Sequence, residues 1–270
     1  YERIHDPATV RMMADAGVNV AITHFFKGLG RKFEQAQMDR TAELVRRCHD
    51  AGIRVIGYTQ LGSIFFETFL DEHPEAEDWT RRDGEGRPMR YFSDYWRWIP
   101  CTNSEKWIFC VKEIVRYGIE TTGLDGFHFD NSYGSPCYCD TCRRLFREYL
   151  EEKFPSGVVE RFGISGFSHV EIPRGDKTHP VHDPVYQEWI RFRCERFAAL
   201  YRDLNSLIKT LNPGAVMLGN YAKWCRGAGW PDSSGEWLPE VFAAHDWVFA
   251  ENGNVPGIVA GGRVSHQIKA

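Results

Sequence analysis

Residues 124–131 read LDGFHFDN, an apolar run from Gly126 to Phe129 that stops on Asp130 and Asn131. A strand that is apolar almost throughout and polar only where it ends is the pattern of a parallel strand covered on both faces. The flanking stretches are helical. Glu105 to Tyr117 repeats Trp107, Ile108, Val111, Ile114 and Val115 at helical spacing, and Thr141 to Phe154 places Leu145, Phe146, Tyr149 and Leu150 on one face. The alternation continues outward, with strands expected at Val18 to Thr23, Arg54 to Tyr58, Ala215 to Leu218 and Trp247 to Ala250. Between them lie helices at Thr9 to Ala16, Lys32 to Ala51 and Val185 to Leu211.

Strands alternating with helices predict an α/β fold with a parallel sheet. Polar residues follow each strand: His24 and Lys27, Tyr58 and Gln60, Asp130 and Asn131, Asn220 and Tyr221, Glu251 and Asn252. In a (β/α)8 TIM barrel that end of the strands forms the active-site face. A doubly wound sheet would alternate in the same way. However, Gly28-Leu29-Gly30 lacks the third glycine and the directly following helix of a dinucleotide fingerprint, so the barrel is favoured. Five strands are clear and a sixth is expected near Arg263 to Ile268, whereas a closed barrel needs eight. The barrel is therefore incomplete in this chain, or further strands hide between Ile64 and Trp98. Residues 1–270 read as one barrel with a Gly-, Pro- and Ser-rich excursion around 155–184.

Composition narrows the function. The net charge is -4 with no Lys/Arg block, which argues against nucleic acid as a partner. No run of about 18 apolar residues exists to cross a membrane, and no signal peptide is expected in the residues behind Tyr1, a processed or trimmed start being left open. Aromatic residues make up 14% of the chain, enough both for a core and for stacking on sugar rings. The oligomeric state is left open, a homo-oligomer included.

Eight cysteines in 270 residues are too sparse for a disulfide scaffold, yet Cys137, Cys139 and Cys142 fall within six residues. Their spacing suits one tetrahedral zinc. The fourth ligand is Cys101, ahead of the helix that leads to the Asp130 strand, or Cys110, which sits within an amphipathic helix and reads as core. Four thiolates close the coordination shell, so the expected cofactor is a structural zinc. Reduced thiols suit the cytoplasm.

Cys101, the strand Gly126 to Asp130 with Asn131, and Cys137, Cys139 and Cys142 with Phe146 resemble the zinc-containing β-galactosidases of glycoside hydrolase family 42. The resemblance covers about residues 95–155 and implies a structural zinc on these four cysteines beside the fourth barrel strand. The family's acid/base glutamate follows the asparagine that matches Asn131, and here that position is Ser132. A serine hydroxyl cannot protonate a glycosidic oxygen near neutrality, so this role does not carry over. Leu124 to Asp130 is also similar to the fourth strand of family 29 α-L-fucosidases, which ends in the nucleophilic aspartate. That resemblance implies Asp130 as nucleophile, with an acid on a later strand as its partner.

Glycoside hydrolysis usually needs two carboxyl groups across one bond. Glu251 closes the strand after Trp247 and Phe249, whose bulk would raise its pKa, and is the expected acid/base. His24, Lys27, Tyr58, His128, Asn131 and Asn220 are expected to bind sugar hydroxyls, and Trp224 to stack on a ring. His128 should face the same side as Asp130, two residues on. A glycosidase acting on a carbohydrate is the leading reading. The alternative is a catalytically silent carbohydrate-binding barrel, since Ser132 removes one carboxylate. A zinc hydrolase is disfavoured because four cysteines leave no open coordination position.

Overall fold

The computed structural model describes residues 5–91, 96–132, 134–174, 183–220 and 234–249, with the backbone of 257–259 and 263–265. Its frame is a parallel sheet of five strands: β1 (Val20–Phe26), β2 (Arg54–Gln60), β5 (Gly126–Asp130), β6 (Val216–Asn220) and β7 (Trp247–Phe249), adjacent in that order. Every neighbouring pair is parallel, and each connection carries a helix. These are α2 (Arg31–Asp50), α4 (Glu105–Glu120), α7 (Pro184–Leu211) and α8 (Leu238–Ala243), with α1 (Pro7–Asp15) ahead of β1. This is a (β/α) barrel, partial among the described residues.

The two faces of the strands have different partners. Phe127 and Phe129 point out to the helices and join the main core with Trp107, Val111, Ile114 and Leu204. The intervening positions point inward, where Ile56, Val216 and Leu218 pack with Val20 and Phe249. Ser104 caps α4 by accepting from the Trp107 N–H, and Asp183 caps α7 through the Val185 and Tyr186 N–H groups. A Cβ at Gly118 of α4 would come within 2.6 Å of Phe127, so this glycine lets the helix lie close on β5.

Three expectations are corrected. β1 runs on to Phe26, because Phe25 and Phe26 are both buried, so His24 lies within the strand rather than past it. Residues 64–98 do hold strands, β3 (Ile64–Phe65) and β4 (Arg97–Trp98), but they pair antiparallel outside the barrel sheet. Between them lie α3 (Phe66–Glu72) and a 3-10 turn at Pro74–Trp79. The strand expected near Arg263 is β9 (Arg263–Ser265), which pairs antiparallel with β8 (Gly257–Val259) in a separate ribbon.

The stretch around 155–184 is more than a loop. Its described part carries α6 (Val158–Phe162) and the buried Phe167 and Ile172. These pack with Phe146 of α5 (Asp140–Lys153) and Trp189 and Phe192 of α7 into a second hydrophobic core that also holds Cys101, Cys137 and Cys142. Glu188, fully buried at the edge of this core, is offset by Lys153, Arg161 and Arg191 and accepts from Tyr149.

Candidate active site at the strand ends

Asp130 ends the central strand and is 8% exposed. Three side chains donate to it. Asn131 Nδ2 lies 2.8 Å from Oδ2, the Tyr58 hydroxyl also donates to Oδ2, and Asn220 Nδ2 lies 3.0 Å from Oδ1. Burial, reinforced by the neighbouring Asp130, pushes the Tyr58 phenol well above its ordinary value, so it remains an O–H donor. A carboxylate offers about four acceptor positions. Oδ1 has a single donor among the described residues and is the less committed oxygen.

A second layer holds these donors in place. Gln60 Nε2 donates to the Tyr58 hydroxyl at 3.0 Å, and Gln60 Oε1 accepts from Asn131 Nδ2 at 3.0 Å and from Ser63 Oγ at 3.1 Å. Asn131 has φ 56°, a left-handed conformation that asparagine tolerates better than most residues. The Tyr91 hydroxyl donates to Asn131 Oδ1. Arg97 Nη2 donates to Ser63 Oγ at 2.9 Å, and its guanidinium lies 4.0 Å from the centre of the Tyr91 ring. The turn after β2 passes so close that a Cβ on Gly62 would sit 1.4 Å from the Asn131 carbonyl oxygen.

The structure thus brings Asp130, Asn131, Tyr58 and Asn220 into one cluster, in which the last three serve the carboxylate. His24 and His128 flank Tyr58, with ring centroids at 4.9 Å and 5.5 Å, and His128 also meets Phe249 at 4.9 Å. Burial, and then the charge of Lys27, lower the pKa of His24. Lys27 follows β1 on a loop whose backbone N–H groups, at Lys27 and Leu29, donate to Glu34 at 2.6 and 2.8 Å. Glu251 and Trp224 lie outside the described residues. Ser132 is buried and shares a hydrogen bond with the Tyr201 hydroxyl of α7. Sequence reasoning missed Ser63, Tyr91, Arg97 and Tyr201. All four are brought in by the antiparallel insertion or by a distant helix, and no local pattern marks them.

Beside this mouth, Cys101, Cys137, Cys139 and Cys142 place their sulfurs within 4.8 Å of one another. Cys101 Sγ lies 3.5 Å from Cys142 Sγ and 3.8 Å from Cys139 Sγ. Four thiolates around one tetrahedral zinc stand about 3.8 Å apart, so the donor set fits. Asn103 donates its backbone N–H to Cys101 Sγ at 3.4 Å and its side-chain amide to Cys142 Sγ at 3.3 Å, the outer hydrogen bonds that a thiolate cluster uses. Hydrogen bonds from the other thiols, that of Cys101 first, push Cys139 well below its ordinary value. Cys110 is not part of the cluster.

A family model described as β-galactosidase, of glycoside hydrolase family 42, matches residues 7–232. A β-galactosidase of Planococcus sp. (strain 'SOS Orange') is 31% identical over 164 residues, covering 56% of this chain and 22% of its own length. The chain spans between 15% and 33% of the length of the curated relatives it matches. The crystal structure of β-galactosidase from the psychrophilic Marinomonas ef1 has a TM-score of 0.68 at 17% identity, over 90% of this chain and 37% of that one. The α-L-fucosidase isoenzyme 2 from Paenibacillus thiaminolyticus has a TM-score of 0.55 at 18% identity, over 89% of this chain and 31% of that one. At these identities the two structures share a fold with this chain.

Proposed function

The chain belongs to the glycoside hydrolase family 42 β-galactosidase family, whose members hydrolyse O-glycosyl bonds, and from that premise we propose that it cleaves a β-galactoside or related glycoside. Asp130 is the proposed nucleophile, the role that the likeness of its strand to that of family 29 fucosidases implies. The observation that carries this reading is the set of three donors converging on a buried carboxylate at the C-terminal end of the central barrel strand. That is the position from which barrel enzymes present reacting groups.

In the proposed reaction Asp130 Oδ1 attacks the anomeric carbon as the bond to the leaving oxygen breaks. Glu251 gives its proton to that oxygen, then takes a proton from the water that releases the sugar. Asn131, Asn220 and Tyr58 orient the carboxylate. A nucleophilic carboxylate of this kind requires its partner about 5–5.5 Å away.

The four cysteines are proposed to hold one structural zinc, which would tie the loop after Asp130 to Cys101 ahead of α4. The converging sulfurs and the two Asn103 donors support this reading.

A second reading, a catalytically silent carbohydrate-binding barrel, is favoured by one observation: Ser132 stands where family 42 has its acid/base glutamate, and it is turned onto Tyr201. Hydrolysis of a panel of nitrophenyl glycosides by wild type, Asp130→Asn and Glu251→Gln decides between them. The hydrolase reading expects each change to lower kcat by about 10⁴-fold. Full activity in Asp130→Asn would overturn the nucleophile assignment. Sugar binding without turnover by wild type would establish the second reading.

A further inference from the structure

The insertion between β2 and α4 brings a cation to the barrel mouth. Arg97 lies on β4, opposite Phe65 of β3, and its guanidinium stands 4.0 Å from the Tyr91 ring centre and 5.5 Å from that of Phe65. It reaches the Asp130 cluster through Ser63, Gln60 and Asn131, each step a hydrogen bond of 3.1 Å or less. Tyr91 ties the same arginine to Asn131 by a second route.

The charge on Arg97 has no counterpart among the described residues. No aspartate or glutamate among the described residues forms an ion pair with it, and its one acceptor is the Ser63 hydroxyl, which itself donates onward to Gln60. Nε is buried without an acceptor among the described residues. Among the described residues two arginines are more deeply buried, Arg81 and Arg193, and each reaches a backbone carbonyl, at Ser135 and Gly134. A guanidinium stacked on an aromatic ring presents its N–H groups in its own plane, and such a fork matches a planar carboxylate. A half-buried cation at a sugar site, with no aspartate or glutamate among the described residues paired to it, calls for an anion on the ligand.

We propose that the sugar bound beside Asp130 is a uronic acid, its carboxylate received by Arg97. The proposal rests on reading the strand ends as a sugar site. A carboxylate in place of the neutral hydroxymethyl group would then set specificity through a charge-assisted pair, worth a preference of about 10- to 100-fold.

The test measures binding by calorimetry and hydrolysis separately. Galacturonate, galactose and galactose 6-sulfate, with glucuronate and glucose as the epimeric pair, are titrated into wild type, Arg97→Gln and Arg97→Lys. Nitrophenyl β-galacturonide and β-galactoside are then compared as substrates. The expected result is a uronate bound at least about 10-fold more tightly than its neutral partner, with the ratio collapsing to near one in Arg97→Gln and falling to an intermediate value in Arg97→Lys. The wild-type ratio is informative by itself should either variant fold poorly. Equal binding of acid and neutral sugar by wild type overturns the proposal, as does a preference for the 6-sulfate. An Arg97→Gln change that weakens both sugars equally also overturns it and makes Arg97 a positioning residue for Asn131. Hydrolysis of the neutral galactoside with no uronide preference would sink the inference and leave the hydrolase standing. Arg97-dependent uronate binding without hydrolysis of any glycoside would sustain the inference and sink the hydrolase.

Discussion

The side-chain amide of Asn220 donates to Asp130 Oδ1 across 3.0 Å, joining the ends of two adjacent parallel strands that are 90 residues apart in the chain. With Tyr58 on the other oxygen, it clamps the carboxylate from both neighbouring strands. Hydrogen bonds to a charged group are worth about 1.5–3 kcal/mol, so Asn220→Ala and Tyr58→Phe should each lower kcat by roughly 10- to 100-fold. Because both act on one carboxylate, the double variant should lose less than the product of the two single losses. Losses that multiply fully would show that the two donors act independently of each other.

Gly62 lies against the turn that shapes Asn131. A Cβ there would stand 1.4 Å from the Asn131 carbonyl oxygen, a backbone atom that cannot move without dragging Asp130 with it. Gly62→Ala should therefore lower the melting temperature and cut activity on the best glycoside by more than Gly86→Ala, where a Cβ meets nothing within 4 Å. Gly86 has φ 80° whereas Gly62 lies outside the left-handed region, so Gly86→Ala carries a turn strain that Gly62→Ala lacks and the clash at Gly62 must outweigh it. Equal effects from the two variants would refute the close-approach argument.

Metal content tests the cysteine cluster directly. The purified protein should contain one zinc per chain, and Cys142→Ala should contain much less. Chelation should lower the melting temperature of wild type while leaving that of Cys142→Ala unchanged. Cys110→Ala should keep its full metal content, because that thiol lies outside the cluster. Metal-free wild type with an unchanged melting temperature would remove the zinc proposal.

Glu34 gives the protein a pH dependence of predictable sign. Burial raises its carboxyl from an ordinary value of 4.5 to about 7, against the opposing N–H groups of Lys27 and Leu29. The native state thus holds this proton more tightly than the unfolded chain. The associated stability is fully present below about 4.5 and is lost as pH rises through about 7. Thermal melts from pH 4.5 to 8 should show a flatter slope in Glu34→Gln than in wild type. Parallel slopes in the two proteins would contradict the assignment.

Much of the frame was legible in order of residues alone. Helical spacing around Val111 and Leu150, and the apolar run into Asp130, report contacts within a few residues or one packed face, so their reading held. The crowding of Cys137, Cys139 and Cys142 was visible for the same reason. What failed depended on partners far away: residues 64–98 contain strands, but only the folded chain shows that they pair with each other rather than with the barrel.

The candidate site divides along the same line. The sequence by itself determined that Asp130 and Asn131 end a buried parallel strand, because alternation and strand polarity are local properties. Only the tertiary structure decided that Tyr58 and Asn220 serve this carboxylate, that the sulfur of Cys101 converges with the other three, that Ser132 turns onto Tyr201, and that Arg97 arrives beside them. Those outcomes follow from strand order, from register and from the path of an insertion, which bring together side chains 72 and 90 residues apart. A pattern of a few residues carries no information about separations of that length, whereas a packed sheet settles them by burying one face and aligning the polar ends.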